Sequence, residues 1–174
     1  MEPFTKITAL AVPIDEPNVD TNQLCPTRFN KVPRGPKHAE ILFHDLRFNA
    51  DSSQKDFILN RPPYDQAKII VADRNWGCGS SRETAVYSLY EFGIRCVIAS
   101  SFGDIHAANC MKNGLLPVVL RQDEVVAIRE QLHQHPGVEV SVDLAAQTVT
   151  DPAGKVYRFD IHMQGDDETV FFDV

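Results

Sequence analysis

The stretch Asp73-Arg74-Asn75-Trp76-Gly77-Cys78-Gly79-Ser80-Ser81-Arg82-Glu83 constrains this chain more than any other. It follows Lys68-Ile69-Ile70-Val71-Ala72, a short β-branched apolar run that reads as a buried strand. It precedes Ala85, Val86, Leu89, Tyr90 and Phe92, whose spacing gives a helix one apolar face, with Gly93 as its stop. A strand that enters a helix through two glycines is a turn whose backbone N–H groups a ligand can approach closely. Ser80-Ser81-Arg82-Glu83 fits the S-x-x-E capping box, with Ser80 at N-cap and Glu83 at N3. Arg82 then falls in the first helical turn, where the helix dipole disfavours a cation unless an anion accompanies it. Gly77, Cys78 and Gly79 therefore form a candidate backbone site for a carboxylate or phosphate. A tight turn with a plain cap uses the same residue types, and the stretch alone leaves the two readings level.

The flanking chain extends this junction into an α/β pattern. Residues 95–100 read as a second apolar strand, 102–114 as a short helix closed by glycine, and 115–120 as a third strand. Strand, helix, strand, helix, strand over residues 68–120 predicts parallel βαβ units. Upstream, residues 4–12 form a first strand, followed by a polar loop holding Asn18-Val19-Asp20-Thr21-Asn22-Gln23. Pro36 at a helix start, with Ala39, Leu42, Phe43 and Leu46 at helical spacing, predicts a helix to about Arg47. Downstream come a helix over residues 122–135, a strand over 138–142, and a hairpin of 148–150 with 155–161 around Asp151-Pro152-Ala153-Gly154. The length, 174 residues, suits one domain spanning 1–174. The closing segment, acidic and then apolar, reads as an edge strand, a partner-binding tail over 162–174 or a frayed end.

Charge narrows the partners. Seventeen basic against twenty-four acidic residues leave a net charge of −7 with no basic stretch, which argues against nucleic acid. No apolar run approaches the ~20 residues of a membrane span, and the first residues lack a secretory pattern, so a cytoplasmic location is expected. Cys25, Cys78, Cys96 and Cys110 are too dispersed for a C-x-x-C site, and the six histidines show no ligand spacing, so no metal is assigned to this chain. Cys78, between glycines, is the one candidate reactive thiol, with packing as its plainer role. His106 reads as a packing residue or as support behind a site. Arg28, Lys31 and Arg34 form a basic surface loop able to meet an acidic ligand.

Several ordered motifs together resemble the 3-isopropylmalate dehydratase small-subunit family of the aconitase superfamily. They are Asn18-Val19-Asp20-Thr21 with Pro26, Phe57-x-Leu59-Asn60, Pro63-Tyr64, Asn75-x-Gly77-Cys78-Gly79-Ser80-Ser81-Arg82-Glu83, Val97-Ile98-Ala99-x-Ser101-Phe102-x-Asp104-Ile105 and Asn113-Gly114-Leu115-Leu116-Pro117. The resemblance spans residues 4–161 and implies a swivelling β/β/α domain, with a parallel βαβ core and a C-terminal β-hairpin. It implies dehydration and rehydration that interconvert 2- and 3-isopropylmalate in leucine biosynthesis, carried out only with a large subunit that brings a [4Fe–4S] cluster. The resemblance also implies a small di- or tricarboxylic hydroxy acid as substrate. By the same resemblance Ser80 is the proton acceptor and Asp20 an active-site carboxylate, while Ser81, Arg82 and either Arg28 or Arg34 bind substrate.

Two departures stand inside the matched motifs: Thr84, where the family usually has histidine, and Asn22, where it commonly has a second aspartate. They leave open a related isomerase or hydratase acting on another alkylmalate, a maleate-type or a homocitrate-like acid. From the residues alone, a stand-alone anion- or nucleotide-binding module and a thiol enzyme pairing Cys78 with His106 also stay open.

Overall fold

The computed structural model describes residues 4–80 and 82–161. Ser81 and the closing segment 162–174, including the proposed tail, lie outside the described residues. Seven strands form one sheet in the order β4-β3-β2-β1-β5-β6-β7. β1 (Lys6–Pro13), β2 (Ile69–Val71), β3 (Cys96–Ala99) and β4 (Leu116–Val119) are parallel, and β5 (Glu139–Asp143), β6 (Thr148–Thr150) and β7 (Val156–Arg158) continue antiparallel from β1. The expected parallel βαβ core and C-terminal hairpin are both present. β1 joins the two halves, because it pairs with β2 through Ala11–Pro13 and with β5 through Lys6–Leu10.

The parallel strands read as unbroken apolar runs because both of their faces are covered. Strand alternation divides them between two cores. Val12, Ile70, Ala72, Val97 and Ala99 face a cluster that includes Ala85, Val86 and Leu89 of α4 (Glu83–Phe92). Ala11, Ile69, Val71, Cys96 and Ile98 face a second cluster with Val125, Ile128 and Leu132 of α6 (Gln122–Gln134) and the inner residues of the hairpin. α5 (Asp104–Lys112) connects β3 to β4 and packs against α4. No helix among the described residues is long and apolar enough to cross a membrane.

The segment expected to be one helix from Pro36 to Arg47 is two single turns, α2 (His38–Ile41) and α3 (His44–Arg47). Phe43 breaks it with a left-handed φ of 51°. Leu42 and Phe43, at the break, are both buried in the core. Phe43 N–H is then bonded to the Leu24 carbonyl (3.2 Å), which ties this corner to α1 (Thr21–Leu24).

Candidate active site

Three loops meet at the carboxyl ends of β1, β2 and β3, where parallel sheets place their ligand sites. Backbone and side-chain bonds join the three. The loop after β1 is tied to that after β2 by Asn18 N–H to the Arg74 carbonyl (3.0 Å), Gly77 N–H to the Val19 carbonyl (2.7 Å) and Thr21 N–H to the Cys78 carbonyl (3.0 Å). The Thr21 hydroxyl adds a bond to the Ser80 carbonyl at 2.7 Å. The loop after β3 is joined through Trp76 N–H to the Ser101 carbonyl (3.1 Å) and Gly103 N–H to the Trp76 carbonyl (2.8 Å). Asn18 and Asn75 both adopt left-handed backbone, and the Asn75 side-chain amide donates to Asn18 Oδ1 at 2.9 Å.

Gly77 is required by space as well as by its φ of 74°. A Cβ there would overlap the His106 ring, which is fully buried directly beneath it. Gly103 sits against the Gly77 carbonyl, so the two loops touch backbone to backbone. His106 Nε2 lies 3.4 Å from Cys110 Sγ, and its Nδ1 has no partner among the described residues. Burial lowers its pKa to about 4, so the ring is neutral at physiological pH. It forms the floor of the loop, and its hydrogen-bonding nitrogen is turned to Cys110 rather than to Cys78.

Above this floor, Asp20, Thr21, Asn22, Thr27, Asn30, Gly79, Ser80 and Arg82 line a cavity of about 360 Å³. Ser80 is exposed at its edge. Asp20 Oδ1 accepts from Gln23 N–H (2.8 Å) while Gln23 Oε1 accepts from Asp20 N–H (2.9 Å), a complete capping box that turns the expected polar loop into α1. Asn22 Oδ1 accepts from Thr27 N–H and hydroxyl at 3.0 and 2.9 Å, and so fastens the next turn of chain. Arg82 Nη1 donates to Asn30 Oδ1, and Nη2 donates to the Cys25 carbonyl at 3.3 Å. Thr84 also points its hydroxyl at Asn30 Oδ1, 3.4 Å away.

The structure corrects two details of the junction. Ser80 is not the N-cap of α4, because Arg82, with extended φ and ψ, takes that position and Glu83 is the first helical residue. The Glu83 carboxylate accepts from the Tyr87 hydroxyl (2.9 Å), one turn along, instead of reaching back to the cap. Nor is Gly77 N–H open to an anion, since it is bonded to Val19. The site is therefore a pocket of side chains beside a stitched loop rather than a capped helix end.

Asp20, Ser80, Gly79 and Arg82 thus come together, with Cys78 half-buried behind them. Arg28 and Arg34 do not line this cavity. Arg28 is paired with Asp45 and lies over the Phe29 ring, which holds its own pKa up and that of Asp45 down to about 2. Arg34 lies 4.6 Å over the Tyr87 ring and donates to Asn113 Oδ1 at 2.9 Å. Sequence reasoning gave no individual role to Asn30, whose contact with Arg82 spans fifty-two positions. Among the described residues no three His, Cys, Asp or Glu side chains converge as a metal-binding set. Cys25, Cys96 and Cys110 are buried apart from Cys78, and burial raises the Cys96 and Cys110 thiols far above their ordinary pKa. These residues do not fit a cluster.

Comparison with known proteins decides the family. The aconitase C-terminal domain matches residues 1–123, and the LeuD_N domain matches residues 127–162. The 3-isopropylmalate dehydratase small subunit of Phenylobacterium zucineum is 49% identical over 97% of this chain and 83% of its own length. The same-named protein of Caulobacter vibrioides is 44% identical over 92% of this chain and 80% of its own. This chain belongs to the 3-isopropylmalate dehydratase small-subunit family. A crystal structure titled 3-isopropylmalate dehydratase, from Methanocaldococcus jannaschii, shares the family fold with a TM-score of 0.67 and 26% identity, over 91% of this chain and 84% of that one. The α/β architecture expected from the motifs matches that of this relative.

Proposed function

We infer that this chain is the small subunit of a 3-isopropylmalate dehydratase, a hydro-lyase of leucine biosynthesis that interconverts 2- and 3-isopropylmalate through an unsaturated diacid. The observation that carries this is the agreement of two matched domains and close relatives with a pocket that gathers Ser80, Arg82 and Asp20. The small-subunit family name implies a large-subunit partner, and the half-open pocket suits a site completed by another chain.

Within that reaction Ser80 takes the proton from the carbon adjacent to the one losing hydroxide, and returns it on rehydration. A serine hydroxyl is a weak base in water, so it acts only where positive charge and donor groups stabilise the alkoxide. Arg82, on the same cavity wall, supplies the charge and binds a substrate carboxylate, for which a guanidinium is well shaped. Ser81 assists in holding substrate, and Asp20 keeps the loop after β1 in register with Ser80. A [4Fe–4S] cluster carried by the large subunit would supply the Lewis acid that helps hydroxide leave. The setting is cytoplasmic, with a small hydroxy-diacid as substrate and neither nucleic acid nor membrane as partner.

The test is co-expression with a candidate large subunit, followed by turnover of 2-isopropylmalate. Ser80→Ala should lower kcat by about 10²–10⁴-fold while leaving the complex intact. Full turnover in that variant would remove Ser80 from its role. Absence of any complex with a cluster-bearing protein would overturn the subunit reading itself.

A further inference from the structure

Arg82 differs from most arginines of this chain in what holds it. Arg28 is paired with Asp45, Arg61 with Asp56, Arg121 with Asp123, and Arg129 with Asp73 and Asp15. Arg82 is held by an amide oxygen and a backbone carbonyl, with no carboxylate oxygen within 4.0 Å among the described residues. Arg47 and Arg95 are likewise held by neutral oxygens, but neither lines this cavity. Arg82 lines the cavity, and its Nε is buried with no partner among the described residues.

The orientation of the Asn30 amide is set by its neighbours. A guanidinium has donors only, so Asn30 must present Oδ1 to it, and the Thr84 hydroxyl approaches the same oxygen. Asn30 also lines the cavity, at the end of a short 3₁₀ turn over Thr27–Phe29. Thr84 is thereby accounted for: its short hydroxyl bonds the amide that holds Arg82.

We propose that Asn30 is a positioning residue that fixes the Arg82 guanidinium with a neutral acceptor, so that its charge is left for a substrate carboxylate. This rests on the reading of Arg82 as the carboxylate-binding group. An aspartate at position 30 would make the same hydrogen bond and fill the same volume. It would also neutralise the guanidinium before substrate arrived. A purely structural acceptor predicts the opposite ranking, with aspartate tolerated and alanine harmful.

The experiment is saturation kinetics with 2-isopropylmalate on the complex assembled with its large subunit, comparing Asn30→Asp, Asn30→Ala, Asn30→Gln and Arg82→Ala. Asn30→Asp should raise KM on the order of ten- to a hundredfold, the range for losing a hydrogen bond to a charged group, with kcat changed far less. Asn30→Ala should raise KM by a smaller factor, and Asn30→Gln, a neutral amide, should restore it towards the parent. Asn30→Asp should add nothing in an Arg82→Ala background. A KM for Asn30→Asp equal to the parent, or below that of Asn30→Ala, overturns the proposal while an elevated KM in Arg82→Ala keeps the reading beneath it. A parental KM in Arg82→Ala overturns that reading instead. Should Asn30→Asp fail to assemble, the alanine and glutamine variants decide, because equal KM values in both would refute the positioning role.

Discussion

Two arginines flank the loop that follows β2, and they are held in opposite ways. Arg129, on α6, is closed into a charged cluster: its Nη1 is 2.7 Å from Asp73 and its Nε 3.2 Å from Asp15, which also meets His133 at 2.8 Å. Asp73 in turn accepts from Arg74 N–H (2.7 Å) and the Gln122 amide (2.9 Å). Burial works against ionisation of Asp73, yet these donors and the Arg129 charge hold its pKa below the usual carboxylate value. On the opposite side of the same loop, Arg82 meets only neutral oxygens among the described residues and opens on a cavity. A buried cation whose carboxylates are in place has no further use for an anion, whereas one held by amide and carbonyl oxygens keeps its charge for a ligand. The loop is thus fastened by charge at its start and by neutral bonds beside the cavity.

The largest expected effect breaks the fastened side. Arg129→Ala leaves Asp73 buried without its cation, and urea unfolding should report a loss of about 3–5 kcal/mol. Acid separates the two sides by pH. The folded pKa of His106, about 4, lies below its ordinary 6.5, so across that interval the unfolded chain binds the extra proton. The stability contribution is complete above 6.5 and falls as pH drops towards 4, by roughly 3 kcal/mol in total. Asp73, shifted downward from 3.8, loses its contribution only as pH falls below that value. Unfolding midpoints followed from pH 7 to 3 should therefore fall in two stages, and His106→Leu should flatten the first stage alone.

Gly77→Ala disturbs the site floor by forcing a Cβ against His106 at a left-handed φ, and should cost about 1–3 kcal/mol by the same unfolding measurement. The smallest effect belongs to Arg28→Ala. Its guanidinium is exposed on Asp45 and lines a separate cavity with Lys31 and Lys37, so KM of the assembled enzyme should match the parent.

The strand and helix order of residues 68–120 was legible because apolar period and glycine stops are local properties. So was the gathering of Asp20, Ser80 and Arg82, through the ordered motifs that carry them. The helix start was not. Ser80 and Glu83 have the right spacing for a capping box, but Arg82 is drawn into extended backbone while its side chain engages Asn30 and Cys25 from a distant loop. A true box, Asp20 with Gln23, stood in a segment read as loop because it caps only one turn. Neither the burial of His106 under Gly77 nor the cluster around Arg129 could be read locally, since each depends on pairing between separate elements.

The most direct test of the contrast is a 2-isopropylmalate saturation curve for the assembled complex carrying Arg82→Ala. KM should rise on the order of ten- to a hundredfold with the two subunits still associated. A curve superimposable on that of the parent would contradict it.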